Sequence, residues 1–370
     1  MKILVLSTNG IFQDGITAWL VRSFASIDPT GLTVDTVAWE GVDAGVVSRV
    51  ESVGVRVHVL PPRRQDVRAY HRSLIDLIIR ERYDIVHVCG NSATTVIELS
   101  AAKKGGVPVR MLHSHNTSCE HPLFDALLRP WMHALANSNL ACGIEAGTWL
   151  FGRRPFTVIR NGMDFEDYRF DRAARVSARA ELGLGDGDFA IGHVGHFIRQ
   201  KNHPFLLEMI AELHGRMPEA RLFMLGDGPL REALEDKAHA LGIDGVVRFL
   251  GVRDDVATVL QAMDCMVLPS LFEGFPIVSL EWQAAGLPSL LSDAVTSECR
   301  LAPFVSALPL SAGASVWADA LQRVAAWDQD RDAQSKEAIN ILTDAGYDAQ
   351  ESARRLRETY VAEYQRLTYD

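Results

Sequence analysis

The chain has five cysteines, Cys89, Cys119, Cys142, Cys265 and Cys299, and no two of them form a C-x-x-C pair. An odd set without that spacing excludes a small disulfide scaffold and fits a reducing compartment. No apolar, charge-free run of about 18 residues occurs, so no membrane-spanning helix is expected. Positive charge is in deficit, with 37 Lys and Arg against 47 Asp and Glu and a formal charge of −10. The phosphate contacts of a dedicated nucleic-acid binder need the opposite balance. No G-x-x-x-x-G-K-[ST] string is present, and Gly226-Asp227-Gly228 lacks the third glycine of a dinucleotide fingerprint. The aliphatic run Ile3 to Leu6 behind a single lysine is too short for a secretory leader and reads as a first strand.

What remains is an ordinary globular composition, with 370 residues of which 48% are hydrophobic and 23% charged. That length predicts two domains of roughly 150–200 residues each. Aliphatic runs at Ile3–Leu6, Val34–Ala38, Val55–Leu60, Ile85–Val88 and Val109–His113 alternate with helix-period stretches such as Ile16–Ile27 and Val67–Arg80. The pattern restarts with Phe189–Val194, Ala220–Leu225, Val246–Leu250, Cys265–Leu268 and Ser289–Leu291. Strand–helix alternation predicts an α/β chain of two doubly wound parallel sheets. The turn-like Asn161-Gly162-Met163-Asp164 marks the joint, a polar stretch Asp171–Arg179 follows it, and Ala349–Arg366 reads as a closing surface helix. Ligands of such sheets bind beyond the carboxyl ends of the strands, which directs attention to the loops there.

Two of these loops carry chemistry. After Leu268, the segment Pro269-Ser270-Leu271-Phe272-Glu273-Gly274-Phe275-Pro276 leads into a helix that contains Glu281. A glycine admits close backbone approach, a helix start offers N–H groups to an anion, and two carboxylates can accept from sugar hydroxyls. The same spacing also suits a loop glutamate and a solvated helix position. After Val194, the segment Gly195-His196-Phe197-Ile198-Arg199-Gln200-Lys201 clusters basic side chains before Pro204, which suits a departing diphosphate or an unliganded basic loop.

These segments resemble the retaining glycosyltransferases of the GT-B fold, family four, with its E-x7-E motif from Glu273 to Glu281. The ordered pieces Gly226-Asp227-Gly228-Pro229, Phe249-Leu250-Gly251-Val252-Arg253, Ala262-Met263-Asp264 and Pro269-Ser270 extend the likeness. The N-terminal half is similar to the capsule and exopolysaccharide branch, through Tyr83-Asp84-Ile85-Val86-His87-Val88 and His113-Ser114-His115-Asn116-Thr117. The resemblance implies an acceptor-side Rossmann-like domain over residues 1–163, joined by a crossover helix at about 350–370, and a nucleotide-sugar domain over 164–349. The two domains would face each other across a cleft.

The resemblance further implies that Lys201 and the amides of Ile277 and Val278 hold the diphosphate. The amides of Gly274, Phe275 and Pro276, with Glu273, would hold the donor sugar, and Glu281 the ribose. Val252 and Arg253 would meet the base, His115 would face the transferred sugar, and the loop of Gly15 would close on the donor. No cofactor and no metal are implied beyond the nucleotide-sugar substrate, with UDP favoured, and a saccharide or lipid-linked acceptor. Two residues depart from the family. His196 stands where arginine is usual, leaving Arg199 to assist, and Asp14 replaces a glycine before Gly15. On those two departures rests the alternative, a catalytically silent subunit of a polysaccharide-assembly complex.

Other strings are weaker. Asp186-Gly187-Asp188 and Asp330-Arg331-Asp332 match an Asp-x-Asp metal site but read as solvated acids, and Ala333 breaks a calcium loop. His113, His115, Cys119 and His121 have zinc-ligand chemistry, although strand-end histidines followed by a loop rarely form such a site. The Arg-rich segment 63–82 and the segment Pro122–Leu135 each have an apolar stripe suited either to the core or to an anionic bilayer. A cytoplasmic protein, peripheral at the inner membrane face, is the expectation.

Overall fold

A computed structural model of the chain describes residues 1–12, 14–117, 119 and 122–368. It divides into two compact units, one of Met1–Met163 with Gly346–Asp370 and the other of Asp164–Ala345. The strands of the first are β1 (Lys2–Ser7), β2 (Thr33–Trp39), β3 (Val55–Leu60), β4 (Ile85–Cys89), β5 (Val109–Ser114), β6 (Ser138–Ala141) and β7 (Thr157–Val158). Those of the second are β8 (Phe189–Val194), β9 (Ala220–Leu225), β10 (Val247–Gly251), β11 (Cys265–Leu268), β12 (Ser289–Ser292) and β13 (Val305–Leu308). Their orders are β3-β2-β1-β4-β5-β6-β7 and β10-β9-β8-β11-β12-β13, parallel throughout.

The central strands of each sheet are buried on both faces and read as continuous apolar runs, whereas the edge strand β3 alternates and exposes Arg56 and Val59. In the first unit Leu4, Leu6, Val86, Val88 and Leu112 face Leu74, Leu77 and Ile78 of the helix Val67–Glu81. Ile3, Val5, Ile85 and Met111 face Trp19 and the C-terminal helix Ala349–Thr368, through Ala353, Leu356 and Tyr360. The second sheet has corresponding layers, with Leu206 and Ile210 on one side and Trp282 and Leu260 on the other.

One local expectation differs from the structure, and one stretch without an assigned form gains one. Asn161-Gly162 is not a turn. Met163 N donates to Tyr347 O at 2.8 Å, Ala349 N donates to Met163 O at 3.0 Å, and a Cβ on Gly162 would lie 2.7 Å from Ser352 Cβ. Glycine is needed there because the returning chain presses on it. The polar stretch after Asp171 is a helix, Arg172–Glu181, capped by Asp171 accepting from Ala174 N at 2.6 Å. Its apolar stripe is nearly absent, with Ala178 as its one buried residue. Arginines hold it instead: Arg175 donates to Met263 O at 2.8 Å and to Asp264 at 2.5 Å, and Arg179 donates to Asp264 at 3.1 Å.

Candidate active site

In the second unit the strand order reverses between β8 and β11, where successive connections leave in opposite directions and open a crevice at the carboxyl edge. The loop after β8 and the loop after β11 meet there. Leu271 N donates to Gln200 O at 2.8 Å, and Asn202, held at φ 57°, donates from Nδ2 to Pro269 O at 3.1 Å. Asparagine tolerates that left-handed backbone better than most residues.

This docking places Lys201 Nζ 2.7 Å from Glu273 Oε1. Ser270 Oγ donates to the same oxygen at 2.6 Å, and Gln200 Nε2 donates to Oε2 at 3.1 Å. The Glu273 and Lys201 side chains are only 7% and 16% exposed, so an ammonium and a carboxylate sit partly desolvated at the mouth of the crevice. Such a pair can exchange part of its mutual contact for a ligand's phosphate and hydroxyls. Ser270, Gln200 and Asn202 were missed as site residues by sequence reasoning, since polar loop residues of common type carry no spacing signal.

Gly226 and Gly228 bring the neighbouring loop in. A Cβ on Gly226, which has φ +128°, would lie 2.1 Å from Gly195 O, and one on Gly228 would lie 2.7 Å from Phe197 N and O. Phe197 N donates to Asp227 O at 2.9 Å. The Gly-x-Gly string therefore lets the loops after β8 and β9 touch.

Of the other expected residues in this unit, His196 and Arg199 are exposed on the loop after β8. Gly274 and Phe275 follow Glu273 directly, with Phe275 packed against the core. Pro276 has no N–H and so cannot donate to a sugar; its carbonyl accepts from Ser279 N at 3.0 Å. The helix is Val278–Ala284 with Ile277 before it, and Glu281 is buried on it at 8% exposure. Val252 is 72% exposed. Arg253 is committed within the protein, donating to Asp255 at 2.7 and 2.5 Å and to Glu181 at 3.2 Å, which raises its pKa.

In the first unit the sheet order reverses between β1 and β4. Gly15 opens the helix Gly15–Ser26 just beyond β1, exposed, and a Cβ there would meet nothing within 4 Å. Asp14 is that helix's cap, with Oδ1 accepting from Thr17 N at 2.8 Å, so its departure from the family has a structural use. His115 follows β5, its ring 5.0 Å from Trp19 and 4.0 Å from His113. Burial lowers its pKa to about 3, so it is neutral.

The Asp-x-Asp strings serve structure. Asp188 accepts from Gly185 N at 2.8 Å, Asp330 caps the helix Arg331–Asp344, and Asp332 pairs with Lys336 at 2.6 Å. Arg331 between them is a buried guanidinium. It donates to Ala285 O at 2.8 Å, Gln261 O at 3.0 Å, and Met263 O and Leu260 O at 2.7 Å. A cavity of about 970 Å³ beside it, lined by Arg172, Asp264 and Trp327, lies at the amino ends of β8 and β11, away from Lys201. Its deeper arginines are spent on backbone carbonyls and Asp264. Of the zinc candidates, His121 lies outside the described residues. His87, Cys89 and His113 do converge, with ligating atoms within 4.8 Å. The His87 Nε2 and His113 Nδ1 atoms are 3.1 Å apart, a hydrogen bond between one N–H and one lone pair, so these two nitrogens face each other rather than an ion.

The profile of the family described as "Glycosyl transferases group 1" matches residues 188–325, which hold Lys201, Glu273 and Glu281. Bacillus subtilis (strain 168) "Putative glycosyltransferase EpsF" is 31% identical over 366 residues, covering 95% of this chain and 94% of that protein. The chain is a group 1 glycosyltransferase. A second relative of this glycosyltransferase is the Escherichia coli UDP-Gal:alpha-D-GlcNAc-diphosphoundecaprenol alpha-1,3-galactosyltransferase, 29% identical over 243 residues, covering 61% of this chain and 62% of that one. Among solved structures, Anabaena HepE in complex with UDP and glucose superposes with a TM-score of 0.79 at 20% identity, covering 98% of this chain and 100% of that one. The glycosyltransferase thus has the GT-B type of fold, built of two Rossmann-like units.

Proposed function

We propose that this glycosyltransferase moves a hexose-type sugar from a nucleotide diphosphate, UDP in the first place, to a hydroxyl of a saccharide or lipid-linked acceptor in polysaccharide or glycoconjugate assembly. The observation that carries the reading is the Lys201–Glu273 pair, buttressed by Ser270 and Gln200 at the β8/β11 switch point. The named donor of the E. coli relative and the UDP bound by HepE support the choice of base.

In this reading the acceptor oxygen bonds to the anomeric carbon as the bond from that carbon to the β-phosphate breaks, with retention of configuration. The acceptor proton passes to the departing phosphate on the same face. Lys201 and the amides of Ile277 and Val278 offset the negative charge that develops on that phosphate. Glu273 and the amides of Gly274 and Phe275 orient the sugar, Glu281 takes the ribose, and neutral His115 hydrogen-bonds the transferred sugar. With an ammonium and amides in that role, no metal is required. Val252 offers apolar surface to the base, while Arg253 is already spent on Asp255.

Membrane contact at the inner face belongs to the same proposal. No helix of the described residues is long and apolar enough to cross a membrane. The helix Val67–Glu81 spends its stripe on the core, through Tyr70, Leu74, Leu77 and Ile78. The helix Pro122–Leu135 instead exposes Leu123, Phe124, Leu127 and Trp131, each at more than half of full exposure. That face suits an interfacial helix beside a lipid-linked acceptor.

Thermal stabilisation by UDP, GDP, ADP and their sugars, on the wild type and on Glu281→Ala, tests the donor assignment. Saturating ligand at about a hundred times its Kd adds about 2.7 kcal/mol. A shift with UDP that disappears in the variant is expected. No shift with any nucleotide would favour the silent-subunit alternative.

A further inference from the structure

Three histidines share one face of the first sheet. His87 on β4 and His113 on β5 are fully buried, and His115 follows two residues later, on the same side by the period of a strand. Trp19 from the helix Gly15–Ser26 meets all three edge-on, at 5.6, 5.1 and 5.0 Å between ring centres. From the C-terminal helix, Tyr360 Oη lies 2.7 Å from His87 Nδ1, and His87 Nε2 lies 3.1 Å from His113 Nδ1. The His113 ring then packs on His115 at 4.0 Å with a 40° tilt.

The chain of contacts has a preferred direction. If Tyr360 donates to His87 Nδ1, His87 carries its proton on Nε2 and donates it to His113 Nδ1. His113 must then carry its own proton on Nε2, which has no partner among the described residues. The opposite direction leaves two buried groups unsatisfied among those residues instead of one, the Tyr360 hydroxyl proton without an acceptor and His113 Nε2 as a bare lone pair. The first direction therefore wins.

We propose that Tyr360 and His87 are positioning residues for the reaction: they lock His113 in its Nε2–H tautomer, and the locked ring, with Trp19, holds the ring plane of His115. The proposal rests on the reading that His115 faces the transferred sugar. It makes the C-terminal helix, which brings Tyr360, part of the catalytic apparatus although none of its residues need touch substrate.

The test uses the full chain with ¹⁵N-labelled histidine, as wild type and as Tyr360→Phe, which removes a single hydroxyl. Histidine→Gln variants assign the imidazole signals. The wild type should show His113 protonated on Nε2, and Tyr360→Phe should move the His87 and His113 signals toward mixed tautomers. Turnover of Tyr360→Phe should fall about tenfold, with the donor KM within about twofold, since misorientation acts on the chemical step. In a His115→Ala background Tyr360→Phe should cost nothing further. His113 protonated on Nδ1 in the wild type, or an equal loss in both backgrounds, would overturn the proposal. Wild-type turnover in His115→Ala would instead sink the placement of His115 at the sugar, and the imidazole spectra would still judge the relay by itself.

Discussion

Lys201 and Glu273 stand 72 positions apart in the chain and meet at 2.7 Å, because the loops of β8 and β11 emerge side by side where the sheet order reverses. Removing Lys201 leaves Glu273 with the Ser270 hydroxyl and the Gln200 amide among its donors. Lys201→Ala should lower turnover on the order of a hundredfold, as loss of one oxyanion donor does. Ser270→Ala, which removes one supporting hydrogen bond, should cost about 1 kcal/mol of stability. Steady-state kinetics and urea melts of the two variants check this, and unchanged turnover in Lys201→Ala would refute the site.

Gly226→Ala should be far more disruptive than its size suggests. The added methyl would meet Gly195 O at 2.1 Å in a backbone region that L side chains rarely adopt. Loss of several kcal/mol is expected, about 3 or more, with Lys201 displaced as the loop after β8 shifts. A melting temperature equal to that of the wild type would show that the loops separate freely.

Arg331→Met should destabilise the second unit by about 3–5 kcal/mol, because four main-chain carbonyls lose a charged donor in a buried place. Lys336→Met, nearby on the same helix but paired on the surface, should change stability by less than about 1 kcal/mol. Comparable effects of the two would contradict the buried-clamp role of Arg331.

Acid should unfold the protein early. Burial lowers His193 from 6.5 to about 4 and His203 to about 2 in the folded state. The unfolded chain therefore binds more protons below pH 6.5, so the stability these groups contribute is complete above that value and declines as pH falls. Each histidine removes about 1.4 kcal/mol per pH unit in that window, down to its folded pKa. Urea midpoints at pH 7.5 and pH 5.0 should differ strongly in the wild type and less in His203→Leu; equal midpoints in the wild type would refute the assignment.

Vesicles of anionic phospholipid should sediment the wild type and not a Phe124→Ser/Trp131→Ser double variant, whose side chains are 65% and 56% exposed. Both proteins should melt alike, since neither ring is in the core. Equal sedimentation would leave that helix face without a membrane role.

Much of this architecture is legible in the residues alone. The strands β1 to β5 and β8 to β12 follow from aliphatic runs, because a parallel sheet covered on both sides has no polar face to break them. The E-x7-E spacing and the basic loop before Pro204 point to the same crevice, since local sequence dictates a strand, a loop and a helix start. Strand β7 is too short to stand out, and the helix Arg172–Glu181 is hidden because arginine fans rather than an apolar stripe hold it. The burial of one member of a charged string was out of reach: Asp330 and Asp332 are exposed, as their string suggests, yet Arg331 between them is buried, a distinction set by four carbonyls from two distant segments.

The sequence by itself determined the alternation of elements, the family resemblance and the residue types available for chemistry, because propensity and periodicity act over a few neighbouring residues. Tertiary structure alone decided which of those residues meet. The reversal of strand order brings Gln200 and Lys201 onto Glu273, close packing demands Gly226 and Gly162, and the returning C-terminal helix brings Tyr360 to His87. Contacts between residues far apart in the chain depend on topology and burial, which no local spacing encodes.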